Sequence, residues 1–299
     1  MGCVSIGVPS SGTCVALNLD LRMTYKNSSL TRVVIMFGKL HNVYLWPTIA
    51  QYIGKYILHC FGFSSSDNID PEYKRKEAIR WCRERAISPQ MALEKIGLPG
   101  DLINPTEAHP EIFGKAKQAV ENHEIPFRDM KLAGAADLTL IYSVMLHSGA
   151  RNVIETGVAL GWSSLAILLA LQVKEDGQLA SIDMPYLTLE AKRDWVGLVV
   201  PPELHRRWHL YRMPDRYGIT KAFRRLSVVD LVHYDSDKSY KGRMQSYGRI
   251  WQGLRSGGIL ISDDIGDNLA WKDFCVGNGI EQSVIEYNGK FIGLARKLS

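Results

Sequence analysis

The sequence has few cysteines, and their arrangement excludes two common ways of stabilising a small fold. Among the 299 residues there are five, and no two of them form a Cys-x-x-Cys pair: Cys3, Cys14, Cys60, Cys82 and Cys275. An odd number of widely spaced cysteines argues against a disulfide framework and against a zinc site. We therefore expect a protein of the reducing cytoplasm.

Long apolar runs and the layout of a signal peptide are also lacking. A membrane-spanning helix needs roughly 20 apolar residues, but the apolar stretch 33–63 is interrupted by Lys39, Pro47 and Lys55. Ile6 stands where an N-myristoylation signal needs Ser or Thr. The composition, 46% hydrophobic and 22% charged residues, is typical of a soluble globular protein with one large domain and an accessory region.

Positive charge is in excess, and most of the excess lies near the start of the sequence. The net charge is +5, and residues 1–66 contain five basic side chains but a single acidic one, Asp20. The remainder is nearly balanced, which argues against a nucleic-acid partner. The basic segment is a candidate for contact with a membrane surface or with another subunit of a homo-oligomer; a solvated extension is the alternative.

Three regions are predicted: a basic N-terminal extension (1–66), a helical accessory or cap region broken by prolines (67–130), and a main domain (131–299). In the main domain strands and helices alternate, which predicts an α/β fold with a mostly parallel sheet and helices on both faces. Asn288-Gly289 between two apolar runs predicts a closing antiparallel hairpin. The predicted strands are 152–156, 178–183, 208–212, 228–234, 259–262, 283–287 and 291–295.

A glycine turn follows the first of these strands, in the sequence Glu155-Thr-Gly157-Val-Ala-Leu-Gly161-Trp-Ser163-Ser164. Such a turn lets backbone N–H groups approach a ligand at a helix N-terminus. The Gly-x-x-x-Gly spacing differs from the Gly-x-Gly-x-x-Gly of dinucleotide-binding proteins. It resembles the first motif of class I S-adenosylmethionine-dependent methyltransferases, which implies a Rossmann-like seven-stranded sheet.

This resemblance implies a cofactor site around the turn. Gly157 and Gly161 would contact the methionine part of S-adenosylmethionine through their backbones, and Glu155 would organise the turn or its waters. Ser163 or Ser164 would bind the cofactor carboxylate, or else serve as an ordinary helix N-cap.

A second acid follows the second predicted strand. Asp183 lies 22 residues after the second glycine of the turn, a separation that suits one helix and a returning strand. A carboxylate at this place can accept hydrogen bonds from both hydroxyls of a ribose; the alternative is a helix cap. We expect the adenine near residues 213–215.

Further acids follow the fourth and fifth predicted strands: Asp235 and, after it, Lys238, then Asp263 and Asp264. Neighbouring strands run about 5 Å apart, so these groups can converge. Three carboxylates would repel one another unless a cation or a proton lay among them. Oxygen ligands of this kind suit Mg²⁺.

The same acids resemble those of the metal-dependent O-methyltransferases of the catechol, caffeoyl-coenzyme A and macrocin types, over roughly residues 131–299. The resemblance makes Asp235, Asp263 and Asp264 metal ligands, although Asp264 stands where the first two types usually have Asn. Asp235 counts also as a cofactor-binding and a catalytic residue. Lys238 would be the catalytic base, kept neutral by the nearby cation; a solvated surface lysine is the alternative.

The predicted function is methyl transfer from S-adenosylmethionine to a hydroxyl oxygen of a small molecule, assisted by a divalent ion. A sugar, a catechol-like ring or a natural product would each be a suitable acceptor. The alternatives are a metal-free class I methyltransferase, a nicotinamide-dependent oxidoreductase, a polyamine synthase and a noncatalytic module that binds the cofactor.

Overall fold

The computed structural model describes residues 71–123, 136–185 and 195–298. The predicted basic extension therefore lies outside the described residues. The described part begins with four helices and a very short strand. Three of the helices have a proline in their first turn after a capping residue, and Ser88 and Asn104 accept hydrogen bonds from the backbone N–H groups of Met91 and Thr106. These elements are α1 (Pro71–Arg83), β1 (Ala86–Ile87), α2 (Pro89–Lys95), α3 (Pro105–Ala108) and α4 (Pro110–Glu121).

The rest of the chain alternates strands with helices around one sheet, which confirms the predicted α/β fold. Its strands are β2 (Asn152–Thr156), β3 (Gln178–Ile182), β4 (Trp208–Tyr211), β5 (Val229–Tyr234), β6 (Leu254–Ser262), β7 (Gln282–Tyr287) and β8 (Lys290–Arg296). Its helices are α5 (Leu138–Ser148), α6 (Trp162–Val173), α7 (Asp215–Leu226), α8 (Tyr240–Gly253) and α9 (Ala270–Gly277), with 3₁₀ turns at Pro202–Arg207 and Ile265–Asp267.

The sheet has eight strands in the order β1-β7-β8-β6-β5-β2-β3-β4. All neighbouring pairs are parallel except those that involve β8, which runs antiparallel to β6 and to β7. The prediction of seven strands is wrong by one, because β1 pairs with β7 and extends the edge. With only two residues, β1 is too short to produce the alternation from which a strand is predicted.

The core lies on both faces of the sheet. Successive side chains of a strand point to opposite faces, so the neighbours Val153 and Ile154 of β2 belong to two different hydrophobic clusters, one on each side. Helix α6 packs within the first cluster and is buried from Ser163 to Leu171. Each fully buried Val, Leu or Ile side chain contributes about 1.5–3 kcal/mol. Burial on both faces explains why these strands are continuously apolar.

The hairpin β7–β8 is confirmed. Asn288 and Gly289 both have positive φ, +50° and +75°, as the two central residues of a type I′ turn require. The hairpin places Lys290, the first residue of β8, near the end of β6. Among the described residues, no helix combines the length and the apolar character that crossing a membrane requires.

Candidate functional site

A cavity of about 620 Å³ opens at the carboxyl ends of β2, β3, β5 and β6. Ligands of open α/β sheets bind at this edge. The cavity brings together residues of the predicted cofactor site and of the predicted acid cluster. Those that the following paragraphs use are Gly157, Trp162, Ser163, Asp183, Asp215, Asp235, Ser236, Lys238, Asp264 and Lys290.

The glycine turn closely approaches the end of β5. Gly157 has φ +80° and Gly161 φ +93°, a region that residues with a Cβ rarely adopt. A Cβ on Gly157 would overlap the carbonyl oxygen of Asp235, whose N–H in turn donates to the carbonyl of Thr156 at 2.8 Å. Glycine is therefore required here for the packing of the two strand ends as well as for access to a ligand.

Glu155 is fully buried below this turn. Its carboxylate accepts hydrogen bonds from three hydroxyls, those of Ser163 (2.6 Å), Ser164 (2.5 Å) and Ser181 (2.7 Å). Because each hydroxyl has one proton, neither Ser163 nor Ser164 has one left to donate to a cofactor carboxylate. Ser164 is also completely buried, so the predicted carboxylate-binding role of these hydroxyls is corrected: they bind Glu155.

Asp183 lies at the other side of the turn. Its Oδ2 accepts hydrogen bonds from the backbone N–H groups of Val158 (2.8 Å) and Ala159 (3.0 Å). Burial raises the pKa of Asp183, and these two N–H groups oppose the shift. The carboxylate therefore fixes the glycine turn and at the same time lines the cavity, where it was predicted to bind a ribose.

Asp215 lies beyond Asp183, within the range predicted for the adenine. The Ser236 hydroxyl, which follows β5, donates to Asp215 Oδ2 at 2.5 Å. Burial raises the pKa of Asp215 to about 6. Of the neighbouring residues, Pro214 also lines the cavity, whereas Met213 is buried away from it.

Lys238 lies between two of the predicted metal ligands. Its Nζ contacts Asp235 Oδ1 and is 3.0 Å from Asp264 Oδ2. Burial alone would lower the pKa of Lys238, but the two carboxylates outweigh burial and raise it. The lysine is thereby held in its charged form, opposite to the neutral form expected of a base beside a metal ion.

Asp263, the remaining predicted ligand, is directed toward a buried histidine. Its Oδ2 lies 3.5 Å from His233 Nε2, and His233 Nδ1 lies 3.8 Å from Glu155 Oε1. Burial would lower the pKa of His233, but the two carboxylates raise it to about 10. His233 is completely buried and does not line the cavity, so it belongs to the packing beneath the site.

These contacts do not match the predicted three-carboxylate metal site. Two of its acids are joined by the Lys238 ammonium, and the third faces His233. Asp263 Oδ1 is buried and has no hydrogen-bond partner among the described residues, yet within the same part of the chain no three His, Cys, Asp or Glu side chains are arranged to hold a metal ion.

Known protein families resemble this chain in the part that contains most of the site residues. A family model described as a methyltransferase domain matches residues 154–265. This range contains the glycine turn, Asp183, Lys238 and the three acids of the cluster. Over this range the chain is similar to methyltransferases. The match and the strand order confirm the predicted resemblance to class I methyltransferases.

Two relatives are plant proteins, tricin synthase 1 and tricin synthase 2 of Oryza sativa subsp. japonica. The first is 25% identical over 158 residues, which cover 52% of this chain and 60% of the relative. The second is 24% identical over 223 residues, which cover 69% of this chain and 71% of the relative. The matched part of the chain thus spans less than two thirds of tricin synthase 1.

Solved structures of similar shape include the O-methyltransferase TomG of Streptomyces achromogenes in complex with SAM. It has 18% identity and a TM-score of 0.48, with 63% of this chain and 90% of TomG covered. The SAH-bound methyltransferase PaMTH1 of Podospora anserina has 13% identity and a TM-score of 0.46, with 74% of this chain and 93% of PaMTH1 covered.

Two residues of the site, Lys290 and Arg243, are not predicted from the sequence. Lys290 Nζ lies 3.1 Å from Asp264 Oδ1, and the position of Lys290 directly after Asn288-Gly289 is the signal that could have found it. Arg243 is completely buried, and its Nη2 donates to the carbonyl of Asp264 at 2.9 Å. Nothing in the pattern of α8 distinguishes Arg243 from an exposed arginine.

Two aromatic residues near the acid cluster and the glycine turn, Trp162 and Tyr240, have different surroundings. Trp162 lines the cavity and stacks on Phe113 with ring centroids 6.1 Å apart. Tyr240 is exposed and donates a hydrogen bond to Asp273 Oδ2 at 3.0 Å, so it is neither cavity wall nor core.

Proposed function

We propose that the protein transfers the methyl group of S-adenosylmethionine to a hydroxyl oxygen of a small molecule. The observation that carries this proposal is a single cavity with the glycine turn and Asp183 on one side and the Lys238 cluster on the other. The methyltransferase domain match supports it, since the same residues lie inside the matched range. A sugar, a catechol-like ring and a natural-product hydroxyl are the acceptor classes.

The cofactor would lie across the carboxyl edge of the sheet. Asp183 would accept hydrogen bonds from the ribose hydroxyls, and Asp215 would face the adenine. The backbone N–H groups at the start of α6 would meet the cofactor carboxylate, because a helix N-terminus favours an anion. Gly157 leaves room for the backbone of the turn to approach the methionine part.

Methyl transfer requires the acceptor oxygen to lie in line with the methyl carbon and the sulfur. The charged Lys238 can donate a hydrogen bond to that oxygen and stabilise the negative charge that develops on it. Asp235, beside it, can accept the proton of the hydroxyl. Burial and the nearby Asp263 raise the pKa of Asp235 to about 6, which leaves it ionised and basic at neutral pH.

The acids at the strand ends also predict a bound Mg²⁺ ion. The acids Asp235, Asp263 and Asp264 do not form a three-carboxylate site, so the mechanism above uses only charges of the protein itself. Dialysis against EDTA tests the metal directly: a metal-dependent enzyme loses methyl transfer and regains it with Mg²⁺.

Two calorimetric titrations and one transfer assay test the proposed function. S-adenosylmethionine should bind and NAD should not, and Asp183→Ala should weaken S-adenosylmethionine binding at least tenfold. Exposed Asp176→Ala is the matched control, since its ion pair with Arg151 lies at the surface. Labelled methyl should pass to at least one member of a panel of diols, catechols and phenols. A preference for NAD would instead favour the oxidoreductase.

The contact predicted for the basic segment 1–66 is a separate proposal. That segment lies outside the described residues, and its two predicted partners, a membrane surface and another subunit, follow from its charge alone. Sedimentation with anionic vesicles and the measured oligomeric mass distinguish them.

A further inference from the structure

Each acid of the predicted metal site has a cationic neighbour. The Lys238 ammonium contacts both Asp235 and Asp264, and the Lys290 ammonium contacts the other oxygen of Asp264. His233 faces Asp263 from the buried side. The three carboxylates therefore lie beside two lysine ammonium groups and one histidine. These cationic neighbours offset the repulsion among the carboxylates without a metal ion.

The position of Lys238 is fixed by its surroundings. Its carbonyl accepts a hydrogen bond from Asn268 Nδ2 at 2.8 Å, and its ammonium is shared by carboxylates from two different strand ends. One of these carboxylates belongs to Asp264, whose backbone has the left-handed φ of +54°. Arg243 donates a hydrogen bond to the backbone carbonyl of Asp264. A divalent ion bound by Asp235 and Asp264 would have to displace the Lys238 ammonium and would then lie close to Lys290.

We propose that the Lys238 ammonium is the resident cation of this site and takes the place that the sequence analysis gave to Mg²⁺. This inference rests on the proposed function. The acceptor oxygen bonds to the methyl carbon while the carbon–sulfur bond breaks and sulfur keeps its electron pair. The hydroxyl proton passes to the Asp235 carboxylate, while Lys238 keeps its own proton and donates a hydrogen bond to the oxygen.

Uptake of Mn²⁺ tests this inference independently of activity. Protein dialysed against EDTA is titrated with Mn²⁺ alone, and binding is followed by electron paramagnetic resonance. Wild-type protein should bind no Mn²⁺ at this site. Lys238→Met removes the ammonium but keeps the side-chain length, so Asp235 and Asp264 lose their shared cation and should bind one equivalent. That binding should disappear when Asp264→Asn is added.

Lys241→Met is the matched control, because Lys241 is an exposed lysine three residues further along the chain, in α8, and it should behave as wild type. Lys238→Gln repeats the test, and thermal melting shows whether each variant is folded. One equivalent of Mn²⁺ on wild-type protein, removed by Asp264→Asn, would overturn the inference, as would the absence of binding to folded Lys238→Met and Lys238→Gln proteins. Failure to methylate any acceptor would contradict the proposed function, but the Mn²⁺ titration could still be interpreted because it does not depend on activity.

Discussion

At the scale of single residues, Glu155 shows how a buried acid can support a site from below the cavity. A buried carboxylate is costly unless it is paired and hydrogen-bonded. Three serine hydroxyls and the nearby His233 meet that requirement. Glu155 therefore connects the start of α6 to β3 and β5 and does not reach the cavity, from which it is completely buried.

Replacing Ser164 with alanine tests this assignment. The change removes one donor from the buried Glu155 carboxylate, and we expect the free energy of unfolding to fall by about 1–3 kcal/mol. The affinity for S-adenosylmethionine should change by less than about threefold, that is, by less than about half of the 1.4 kcal/mol that a tenfold change represents. Urea unfolding and calorimetry measure the two quantities.

The exposed Ser256 provides the control for this substitution. Ser256→Ala removes only a long surface hydrogen bond, 3.2 Å to the carbonyl of Leu298, and should leave both quantities unchanged. If Ser164→Ala lost much of its cofactor affinity but kept its stability, the Ser164 hydroxyl would have to bind the cofactor rather than Glu155.

At the scale of elements, the site depends on how closely β2 and β5 approach each other at their carboxyl ends. The N–H of Asp235 donates to the carbonyl of Thr156, and Gly157 lies directly against the Asp235 carbonyl. These contacts between two strand ends place the glycine turn directly beside Asp235 of the acid cluster. A shift of either strand end would displace both halves of the cavity.

Gly157→Ala tests this contact. The added Cβ meets the Asp235 carbonyl, and the alanine must adopt the positive φ of Gly157. We therefore expect a loss of about 1–3 kcal/mol in the free energy of unfolding from backbone strain, together with weaker binding of S-adenosylmethionine. Gly248→Ala in α8 is the control, because nothing lies within 4 Å of its added Cβ. It should stabilise the helix by about 0.5–1 kcal/mol. Equal stability of the Gly157→Ala and wild-type proteins would contradict the contact.

The elements also show what the sequence could predict. Strands such as Asn152–Thr156 and Gln178–Ile182 were predicted almost to the residue, because an apolar run that ends in an acid or a glycine is a local signal. Strand β6 begins at Leu254, five residues before its predicted start, because Arg255, Ser256 and two glycines hide its pattern. The positions of the acids at strand ends were predictable, whereas the side chains that pair with them were not, since such partners depend on tertiary packing.

At the scale of the whole molecule, the part predicted as an accessory region is joined to the sheet. Strand β1 pairs with β7, Arg296 donates to the carbonyl of Ile96 at 2.8 Å, and Lys95 Nζ lies 3.2 Å from the carbonyl of Gln282. Strand β1 and helix α2 are thus attached to the closing hairpin, the element that also supplies Lys290 to the site.

The stability of the whole molecule should depend on pH through Asp215. Its pKa is about 6 in the folded protein against 3.8 as the reference, so the folded state binds the proton more tightly than the unfolded chain does. Stability therefore falls as pH rises through this window. Thermal melting of wild-type and Asp215→Asn proteins at pH 4.5–7.5 should show wild type losing more Tm with rising pH; parallel curves would contradict the shift.

A crystal structure with S-adenosylhomocysteine is the measurement that tests the central claim most directly. The nucleoside should lie across the carboxyl ends of β2 and β3, with its ribose against Asp183 and its sulfur facing the Lys238 ammonium between Asp235 and Asp264. A nucleoside bound elsewhere on the protein, or one whose sulfur points away from Lys238, would contradict the account.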